Sequence, residues 1–423
     1  MAARGENQIM KSNRQLVLIC QVFYPEVGTG QTLTELGEEL VDRGFALRVV
    51  AGQPTVVPGA PSAPRKMHHA GMTIVRTWST RLSKTSLLGK LVNQVTFFAS
   101  AAGYILLKER KAQLLILTNP PFLPLLGWLC YLVRRQPFGL ILFDIMPEQA
   151  ELLGFLRPGG WLVRVWKRLN RLYYRSCSFA VVLSEDMVTG ALQNALMLGS
   201  AEEPAARDKT HVIHIWSDDR VIHLKSKADS AEANRLGLLK CFVVQYSGNH
   251  GRFHDIETLL AIARELSGEK DMLFQFHGEG QKKALVDEFI RKHRLTNIQS
   301  RPYYPKELLP DALAMSDIGV VAQLPGQERV CYPSKLLGIM AAGRPVLAIC
   351  SATCAMARMI EEYQVGFVIG NGEVAKGAAC LKRAAGDSAA MLNMGRNARA
   401  LLNKNFSLQM AANQYYELLV KPR

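Results

Sequence analysis

The chain of 423 residues lacks the short motifs that assign many proteins to an enzyme class. It contains no D-x-D pair for a metal–nucleotide clamp, no G-x-x-x-x-G-K-[ST] loop and no G-x-S-x-G elbow. Its eight cysteines form no C-x-x-C pair and no zinc-like cluster with histidine, and most lie inside apolar runs. We therefore expect buried thiols in a reducing compartment and no metal site.

Targeting and membrane-spanning signals are also scarce. The first fifteen residues are polar and charged, so we expect a short disordered lead and no signal peptide. Residues Ala112–Val133 carry no charge, but Asn119-Pro120-Pro121 and Pro124 interrupt them. Because prolines at this density break the helix that a bilayer requires, the stretch predicts a buried strand followed by a core helix.

Acidic residues are few relative to basic ones. Lys plus Arg total 51 and Asp plus Glu total 36, which leaves a net charge of 51 − 36 = +15. The hydrophobic share of 48% and the charged share of 21% are ordinary for globular proteins and exclude a disordered chain, a collagen or a disulfide miniprotein. The charge indicates an anionic partner, which composition alone leaves as nucleic acid, an acidic membrane or a phosphorylated small molecule.

Short apolar runs alternate with helical patterns along the whole chain, which is typical of parallel sheets built from βαβ units. The alternation starts at Leu16–Cys20 and restarts at Phe242–Tyr246, after a junction near Trp216–Lys227. A last helical pattern, Leu408–Val420, has no strand after it. The predicted fold class is therefore α/β, with two doubly wound Rossmann-like domains facing a cleft.

In open parallel sheets, ligands bind at the carboxyl ends of the strands, and two loops of the first half carry suitable residues there. Gly28 and Gly30 follow Glu26 and open a helix, an arrangement that suits an anion; a plain tight turn is the alternative. Asp144 and Glu148 follow the apolar run GLILF and suit accepting a hydroxyl proton or holding a sugar hydroxyl. The alternative for this loop is a turn with a helix cap.

Two loops of the second half suit phosphate. Gly248 and Asn249 follow an apolar strand, and His254 can add a donor, unless it is a surface histidine. Ser334 and Lys335 open the helix KLLGIMAAG. A lysine in the first turn is unfavourable against the helix dipole unless an anion binds there, so this position favours a diphosphate ligand.

A basic stretch between residues 152 and 184 contains no acidic residue. Its cations, interleaved with tryptophans, tyrosines and aliphatic residues, are Arg157, Arg164, Lys167, Arg168, Arg171 and Arg175. The pattern is typical of a helix on an anionic membrane surface near residues 157–175. The alternatives are a core helix with a solvated basic face and nucleic-acid binding, for which the chain has no recognisable module.

Several segments along the chain form a recognisable set: YPEVGTG, FDIMPE, VIHIWSDD, YSGNHGRFHDIETLL, FHGEG and PSKLLGIMAAGRPVLA. Together they resemble the GT-B, family-4 glycosyltransferases, and more closely the branch that builds colanic acid, O-antigen and related exopolysaccharides. The similarity extends from about Leu16 to about Phe406.

The resemblance implies a retaining, metal-independent transfer of a sugar from a nucleotide-diphosphate sugar to a lipid-linked or growing saccharide. It implies an acceptor-binding domain over 14–215, a donor-binding domain over 216–406 and a helix over 407–423 that crosses back to the first domain. Lys335 and Asp144 are then the catalytic candidates, and Glu26, Gly28, Gly30 and Glu148 lie on the acceptor side. The donor-binding candidates are Gly248, Asn249, His254, Gly278, Gly280, Ser334 and Lys335.

Two departures from the family pattern bear on the donor. Val330 and Gly338 occupy the positions of the usual Glu-x7-Glu pair, and Asn249 and His254 replace the Arg and Lys that many relatives carry on the phosphates. They motivate a second hypothesis, a catalytically degenerate GT-B protein that binds a nucleotide sugar or a partner enzyme without turnover. No cofactor and no nucleic acid are expected, and the predicted location is cytoplasmic, peripheral at the inner face of the membrane.

Overall fold

The computed structural model describes residues 14–26, 28–54, 62–82, 87–217 and 222–421, with the side chains of Leu87 and Lys306 excepted. Most of the expected disordered lead lies outside these residues. The chain divides into two units, Met1–His214 with Leu408–Arg423, and Ile215–Ser407.

The first unit is built on a sheet of eight strands in the order β3-β4-β2-β1-β5-β6-β7-β8. Every neighbouring pair is parallel except β3 and β4. The strands are β1 (Gln15–Ile19), β2 (Ala46–Ala51), β3 (Lys66–His69), β4 (Met72–Arg76), β5 (Gln113–Leu117), β6 (Phe138–Ile141), β7 (Phe179–Val182) and β8 (Thr210–Val212). The helices are α1 (Thr29–Asp42), α2 (Leu87–Lys108), α3 (Pro124–Arg134), α4 (Glu148–Leu152), α5 (Trp161–Ser176), α6 (Glu185–Asn194) and α7 (Glu203–Asp208).

The second unit is built on a six-stranded parallel sheet in the order β11-β10-β9-β12-β13-β14. Its strands are β9 (Phe242–Ser247), β10 (Met272–His277), β11 (Ile298–Arg301), β12 (Ile318–Ala322), β13 (Val346–Ile349) and β14 (Gly366–Ile369). Its helices are α8 (Ala231–Arg235), α9 (Ile256–Glu265), α10 (Lys283–His293), α11 (Leu309–Ala314), α12 (Lys335–Ala341), α13 (Ala355–Glu362), α14 (Val374–Gly386) and α15 (Ser388–Asn405). The last helix, α16 (Leu408–Val420), packs against α1 of the first unit.

The central strands are mostly apolar because helices cover both faces of each sheet. In β1, Leu16 to Ile19 are all buried, and β12 and β13 are buried throughout. The uncharged stretch 112–133 forms the expected strand and core helix, β5 and α3, and α3 begins at Pro124. Among the described helices, none is both long and apolar enough to cross a bilayer.

Two kinds of element escaped the sequence pattern. The polar strand β3 pairs antiparallel with β4, and Ala70 and Gly71, both at positive φ, form the hairpin turn between them. The strand β3 contains no apolar run from which it could have been predicted. The strand β14 and the helices α13 to α15 follow β13, where the residue pattern predicted no element. Their apolar residues pack into two core clusters of the second unit, with Leu381 buried in one and Ile360 and Leu401 in the other.

Candidate functional site

The loops after β9 and β12 lie where the strand order of the second sheet reverses. From β9 the chain proceeds to β10 and β11 on one side, and β12 returns to the other side of β9. Such a reversal leaves a crevice at the carboxyl ends of the two strands, the usual ligand position in doubly wound sheets. Within the second unit, the donor-side candidates Gly248, Asn249, His254, Ser334 and Lys335 all belong to these loops or to the helices that follow.

The loop after β9 is joined to its neighbours by backbone hydrogen bonds. The amide of Gly248 donates to the carbonyl of His277 at 2.8 Å, and the amide of His250 donates to the carbonyl of Glu279 at 2.8 Å. The amide of Leu324, after β12, donates to the carbonyl of Phe253 at 3.0 Å. The three loops therefore form one connected surface.

Gly278 and Gly280 permit the close approach of two of these loops. Both have positive φ, 138° and 142°. A Cβ at Gly278 would lie 2.0 Å from the carbonyl oxygen of Gly248, and one at Gly280 would lie 2.5 Å from Oδ1 of Asn249. Any larger residue would push the two loops apart.

The Lys335 side chain lies directly over Gly248. A Cβ added to Gly248 would approach Cε of Lys335 to 2.5 Å. The Lys335 ammonium lies 5.1 Å from the ring centroid of Tyr246, and burial lowers its pKa from 10.5 to about 8. Among the described residues no carboxylate lies within ion-pair distance of Lys335. This partly desolvated cation is therefore available to an anionic ligand.

The structure assigns His254 a role different from a charged phosphate contact. Its Nδ1 accepts a hydrogen bond from the Gly251 amide at 3.1 Å and lies 2.7 Å from the Tyr246 hydroxyl. Burial, followed by the charge of Lys335, lowers the pKa of His254 to about 3. The ring is neutral at pH 7 and carries its proton on Nε2, so it can donate one hydrogen bond but adds no positive charge.

Tyr246 is the residue of this region that the sequence patterns missed. It is buried, and its single hydroxyl proton is shared between Nδ1 of His254, at 2.7 Å, and the Asn249 carbonyl, at 2.9 Å. The Tyr246 hydroxyl thereby holds the loop after β9 in place, while its ring faces the Lys335 ammonium. The available signal was a single aromatic hydroxyl at the end of an otherwise apolar strand, which resembles any core tyrosine.

Beneath the same loops lie two further histidines, His250 and His277, both buried. Neither ring has a hydrogen-bond partner for its nitrogens among the described residues. Burial is the main cause that lowers each pKa to about 4, with Lys283 contributing to both. Both imidazoles are therefore neutral at pH 7 and do not add to the positive charge of Lys335.

The acceptor-side candidates of the first unit lie at the carboxyl edge of its own sheet. Glu26 is buried, and the Arg76 guanidinium beside it donates to the carbonyls of Tyr24 and Gly52, the latter at 2.6 Å. Burial lowers the pKa of Arg76, and the charge of Glu26 opposes that shift. Gly28 caps α1 at a φ of 69°, with open space where a side chain would extend. The buried arginine thus holds the loop that carries Glu26.

Gly30 is the second residue of α1, two residues after Gly28. A Cβ there would approach Cβ of Glu26 to 3.2 Å, so the glycine permits close packing of the loop against the start of α1.

Asp144 follows β6 and has the environment of a proton acceptor. Its Oδ1 accepts a hydrogen bond from Nε2 of Gln149 at 3.0 Å, and its carbonyl accepts one from the Thr118 hydroxyl at 3.1 Å. Burial raises the pKa of Asp144, and the Gln149 hydrogen bond opposes that shift only in part. A carboxylate with a raised pKa is a stronger base than an exposed one, which is the property that a general base needs.

Glu148 is engaged inside the unit. Its carboxylate pairs with Lys167 at 2.7 Å and accepts from Nδ2 of Asn194 at 2.5 Å. Glu148 therefore links α4 to α5 and α6. An acceptor that contacts this carboxylate would have to share it with Lys167 and Asn194.

Ion pairs engage several cations of the basic stretch in α5. Lys167 pairs with Glu148 and with Glu151, and Arg171 and Arg175 both pair with Glu202, at 2.9 and 3.3 Å. These acids lie outside the acid-free stretch and reach it only through the fold. The cations of the stretch that remain exposed, with no ion pair among the described residues, are Arg157, Arg164 and Arg168.

With this geometry in place, the chain can be compared with known proteins. Residues 27–197 match the family model "Glycosyl transferase 4-like domain". This match and the similarities below support the resemblance to family-4 glycosyltransferases of exopolysaccharide synthesis, and the two doubly wound sheets have the GT-B fold. The resemblance and the fold class predicted from the sequence are thereby confirmed.

Two curated relatives are similar in sequence. The chain is 28% identical over 269 residues to the probable glycosyltransferase WbjE of Pseudomonas aeruginosa, which covers 63% of this chain and 62% of the relative. It is 26% identical over 174 residues to the putative colanic acid biosynthesis glycosyl transferase WcaI of Escherichia coli K12, covering 41% and 42%. The match thus spans less than two thirds of the length of each relative.

Solved structures share the fold at low sequence identity. A sucrose-phosphate synthase from Thermosynechococcus elongatus superposes with a TM-score of 0.74 at 14% identity, covering 96% of this chain and 98% of that one. Alr3699/HepE of Anabaena, solved with UDP-glucose, superposes with a TM-score of 0.69 at 15% identity, covering 96% and 99%.

Proposed function

We propose that the protein is a retaining glycosyltransferase that moves a sugar from a nucleotide-diphosphate sugar to a lipid-linked or growing saccharide in cell-surface polysaccharide synthesis. The observation that carries the proposal is the Lys335 ammonium, which lies half-buried over Gly248 at the reversal of strand order without a carboxylate partner among the described residues. A buried cation without a counter-ion costs stability, and a diphosphate would supply that counter-ion.

In this proposal the second unit holds the donor. Lys335 would contact the diphosphate, and the Ser334 hydroxyl and the amides of the loop after β9 would supply further donors. As the bond to the sugar breaks, negative charge increases on the leaving phosphate, and donors fixed beforehand stabilise that charge more than they stabilise the bound donor. Because Lys335 and the amides neutralise the charge, and because the sequence has no D-x-D pair, the proposed transfer needs no metal.

The first unit would hold the acceptor. Attack from the face of the departing phosphate needs no protein nucleophile, and the leaving phosphate can take the proton of the acceptor hydroxyl. Asp144, with its raised pKa, would orient that hydroxyl or share its proton. Glu26 would contact the acceptor from the loop that Arg76 holds.

Replacing Lys335 by alanine tests the assignment directly. We expect transfer to fall by about a hundredfold or more, because a charged donor to the leaving group is lost. Lys376→Ala, an exposed lysine of the same unit, is the control and should retain activity. Wild-type turnover in Lys335→Ala would show that the assignment is wrong.

The nucleotide and sugar can be identified by thermal stabilisation. A donor that binds only the folded protein raises its melting temperature, by an amount set by its concentration relative to its dissociation constant. A panel of nucleotide sugars, each compared with its free nucleotide diphosphate, would separate recognition of the base from recognition of the sugar.

The alternative is a degenerate GT-B protein that binds a nucleotide sugar or a partner enzyme without turnover. Val330, buried, and Gly338 stand where the usual glutamate pair would hold the ribose. Product formation from any nucleotide-sugar donor would eliminate this alternative.

Membrane contact is the second part of the proposal. The exposed Arg157, Arg164 and Arg168 on and before α5 would place the protein on the anionic inner face of the membrane, where a lipid-linked acceptor resides. Co-sedimentation with vesicles that contain an anionic lipid tests this contact, and failure to bind at low salt would refute it.

A further inference from the structure

The helix α2 presents an apolar face to solvent along its whole length. Its buried side is formed by residues four apart, among them Phe97, Ala101 and Ile105. Because successive residues are about 100° apart around a helix, residues offset by two from this row lie on the opposite side. That side exposes Leu91, Val95, Ala99, Gly103 and Leu107, with Leu88 at its start.

The exposure is large for apolar side chains. Leu88 is 70% exposed, Leu91 48%, Val95 55% and Leu107 67%. From Leu88 to Leu107 the row extends about 28 Å, at 1.5 Å per residue. A helix that is apolar on all sides is ordinarily buried, so a face of this size indicates a partner.

The neighbouring helices continue this surface. The crossovers from β4 to β5, from β5 to β6 and from β6 to β7 all run in the same direction across the sheet. Right-handed crossovers therefore place α2, α3 and α5 on one face of the sheet, and α3 packs against both of the others. The exposed apolar side chains on α3 and α5 include Leu132, Trp161 and Val165.

The charges on this layer have one sign. Between Thr77 and Phe143 the only acidic residue is Glu109, which is buried and pairs with Arg48. Glu148 and Glu151, at the edge of α5, pair with Lys167. The exposed cations Lys90, Arg164 and Arg168 have no ion pair among the described residues.

We propose that α2 lies in the plane of an anionic bilayer surface and, with α3 and α5, forms the membrane-binding face of the protein. A second copy of the chain is the less favourable occupant, because it would bring the same cations face to face. An anionic bilayer matches both properties of the layer, its apolar area and its positive charge. The inference extends the membrane contact of the proposed function from the arginines near α5 to an apolar helix that the sequence patterns did not single out.

The test compares two triple variants of the full chain. Leu88, Leu91 and Val95 are each changed to serine in the first variant. In the matched control, three exposed leucines of the other unit are changed to serine: Leu239, Leu285 and Leu392. Melting temperatures establish that both variants are folded, and partitioning is measured by sedimentation with vesicles of phosphatidylcholine, with and without phosphatidylglycerol.

We expect the α2 variant to lose at least about tenfold in partitioning to anionic vesicles, since three apolar side chains no longer enter the interface. The control should partition as the wild type does. Equal partitioning of both variants would overturn the proposal, as would a wild-type dimer in sedimentation velocity that the α2 variant abolishes without any change in vesicle binding.

Transfer to a water-soluble saccharide acceptor separates this inference from the proposed activity. The α2 variant should retain that reaction, because the substituted residues lie outside both candidate sites. Loss of vesicle binding with retained transfer supports the membrane face. Absence of transfer in the wild type would refute the proposed enzyme and leave the vesicle result standing on its own.

Discussion

Replacing Lys335 by methionine should make the protein more stable and its donor binding weaker at the same time. In the folded protein burial lowers the pKa of Lys335 to about 8, against 10.5 for an ordinary lysine. A difference of about 2.5 units corresponds to roughly 3 kcal/mol in favour of the unfolded state when the amine is charged. Methionine keeps the apolar stem and removes that cost.

The sign of the pH dependence follows from the direction of the shift. Below pH 8 the folded state must carry the proton at unfavourable cost, so the full difference between wild type and Lys335→Met is present there. Between pH 8 and 10.5 the folded wild type loses the proton and the difference decreases. Urea denaturation at pH 7 should therefore show the variant more stable by up to about 3 kcal/mol, with the gap closing as the pH is raised.

Nucleotide binding should change in the opposite direction. A diphosphate next to the ammonium favours its charged form, so the dissociation constant of the wild type should be flat below pH 8 and rise about tenfold per unit above it. Lys335→Met should bind about ten- to a hundredfold more weakly at pH 7, from the loss of one charged hydrogen bond, and should lack this rise. Titration calorimetry of both proteins over pH 7 to 10 measures the effect, since ionisation of the ligand itself is common to both.

Two results would refute this reasoning. A variant less stable than wild type at pH 7 would mean that Lys335 has a counter-ion in solution. Parallel binding curves for the two proteins would mean that the ammonium does not contact the ligand.

Three further substitutions follow from the same structure. Gly248→Ala would place a methyl group 2.5 Å from Cε of Lys335, so calorimetry should show nucleotide binding that is at least about tenfold weaker. The control is Gly237→Ala, at a glycine of positive φ with open space around it, and this variant should bind nucleotide normally. Asp144→Asn should lower transfer by about a hundredfold in a radiolabel assay, because the base is lost. Thermal stability should not decrease, because the Asp144 carboxylate is desolvated at a cost in the folded state. Unchanged turnover would remove Asp144 from the mechanism. Arg76→Met should lower the free energy of unfolding by about 3 kcal/mol or more in urea, since it leaves the carbonyls of Tyr24 and Gly52 without their donor and removes the positive charge beside the buried Glu26. A stability equal to wild type would contradict this account.

The sequence alone determined the order of strands and helices that carries both candidate sites. The helix α16 has the bounds expected from its residue pattern, and the runs Leu16–Cys20 and Phe242–Tyr246 match β1 and β9 to within one residue. Central strands are mostly apolar because helices cover both faces, and turn residues end them. Once the strands are parallel, the loops that follow them share one edge of the sheet. The nearness of Gly248 and Lys335 in the second unit is a consequence of that rule and of the strand order.

The sequence could not determine which charges are balanced. Lys167, Arg171 and Arg175 repeat at helical spacing within an acid-free stretch, yet the fold brings Glu148, Glu151 and Glu202 to them. Ion pairs between residues distant along the chain depend on how helices pack, which local spacing does not record.

The tertiary structure alone decided the protonation states and the exposed face of α2. Burial lowers the pKa of His254, which keeps its ring neutral at pH 7, and it lowers the pKa of Lys335. Burial of both side chains depends on how the loops pack. Apolar residues occur on every side of α2, so periodicity does not distinguish the side that faces the sheet from the side that faces out. Only the packing of α2 on its sheet leaves Leu88, Leu91 and Val95 exposed, because a helix has two opposite faces and the sheet covers one.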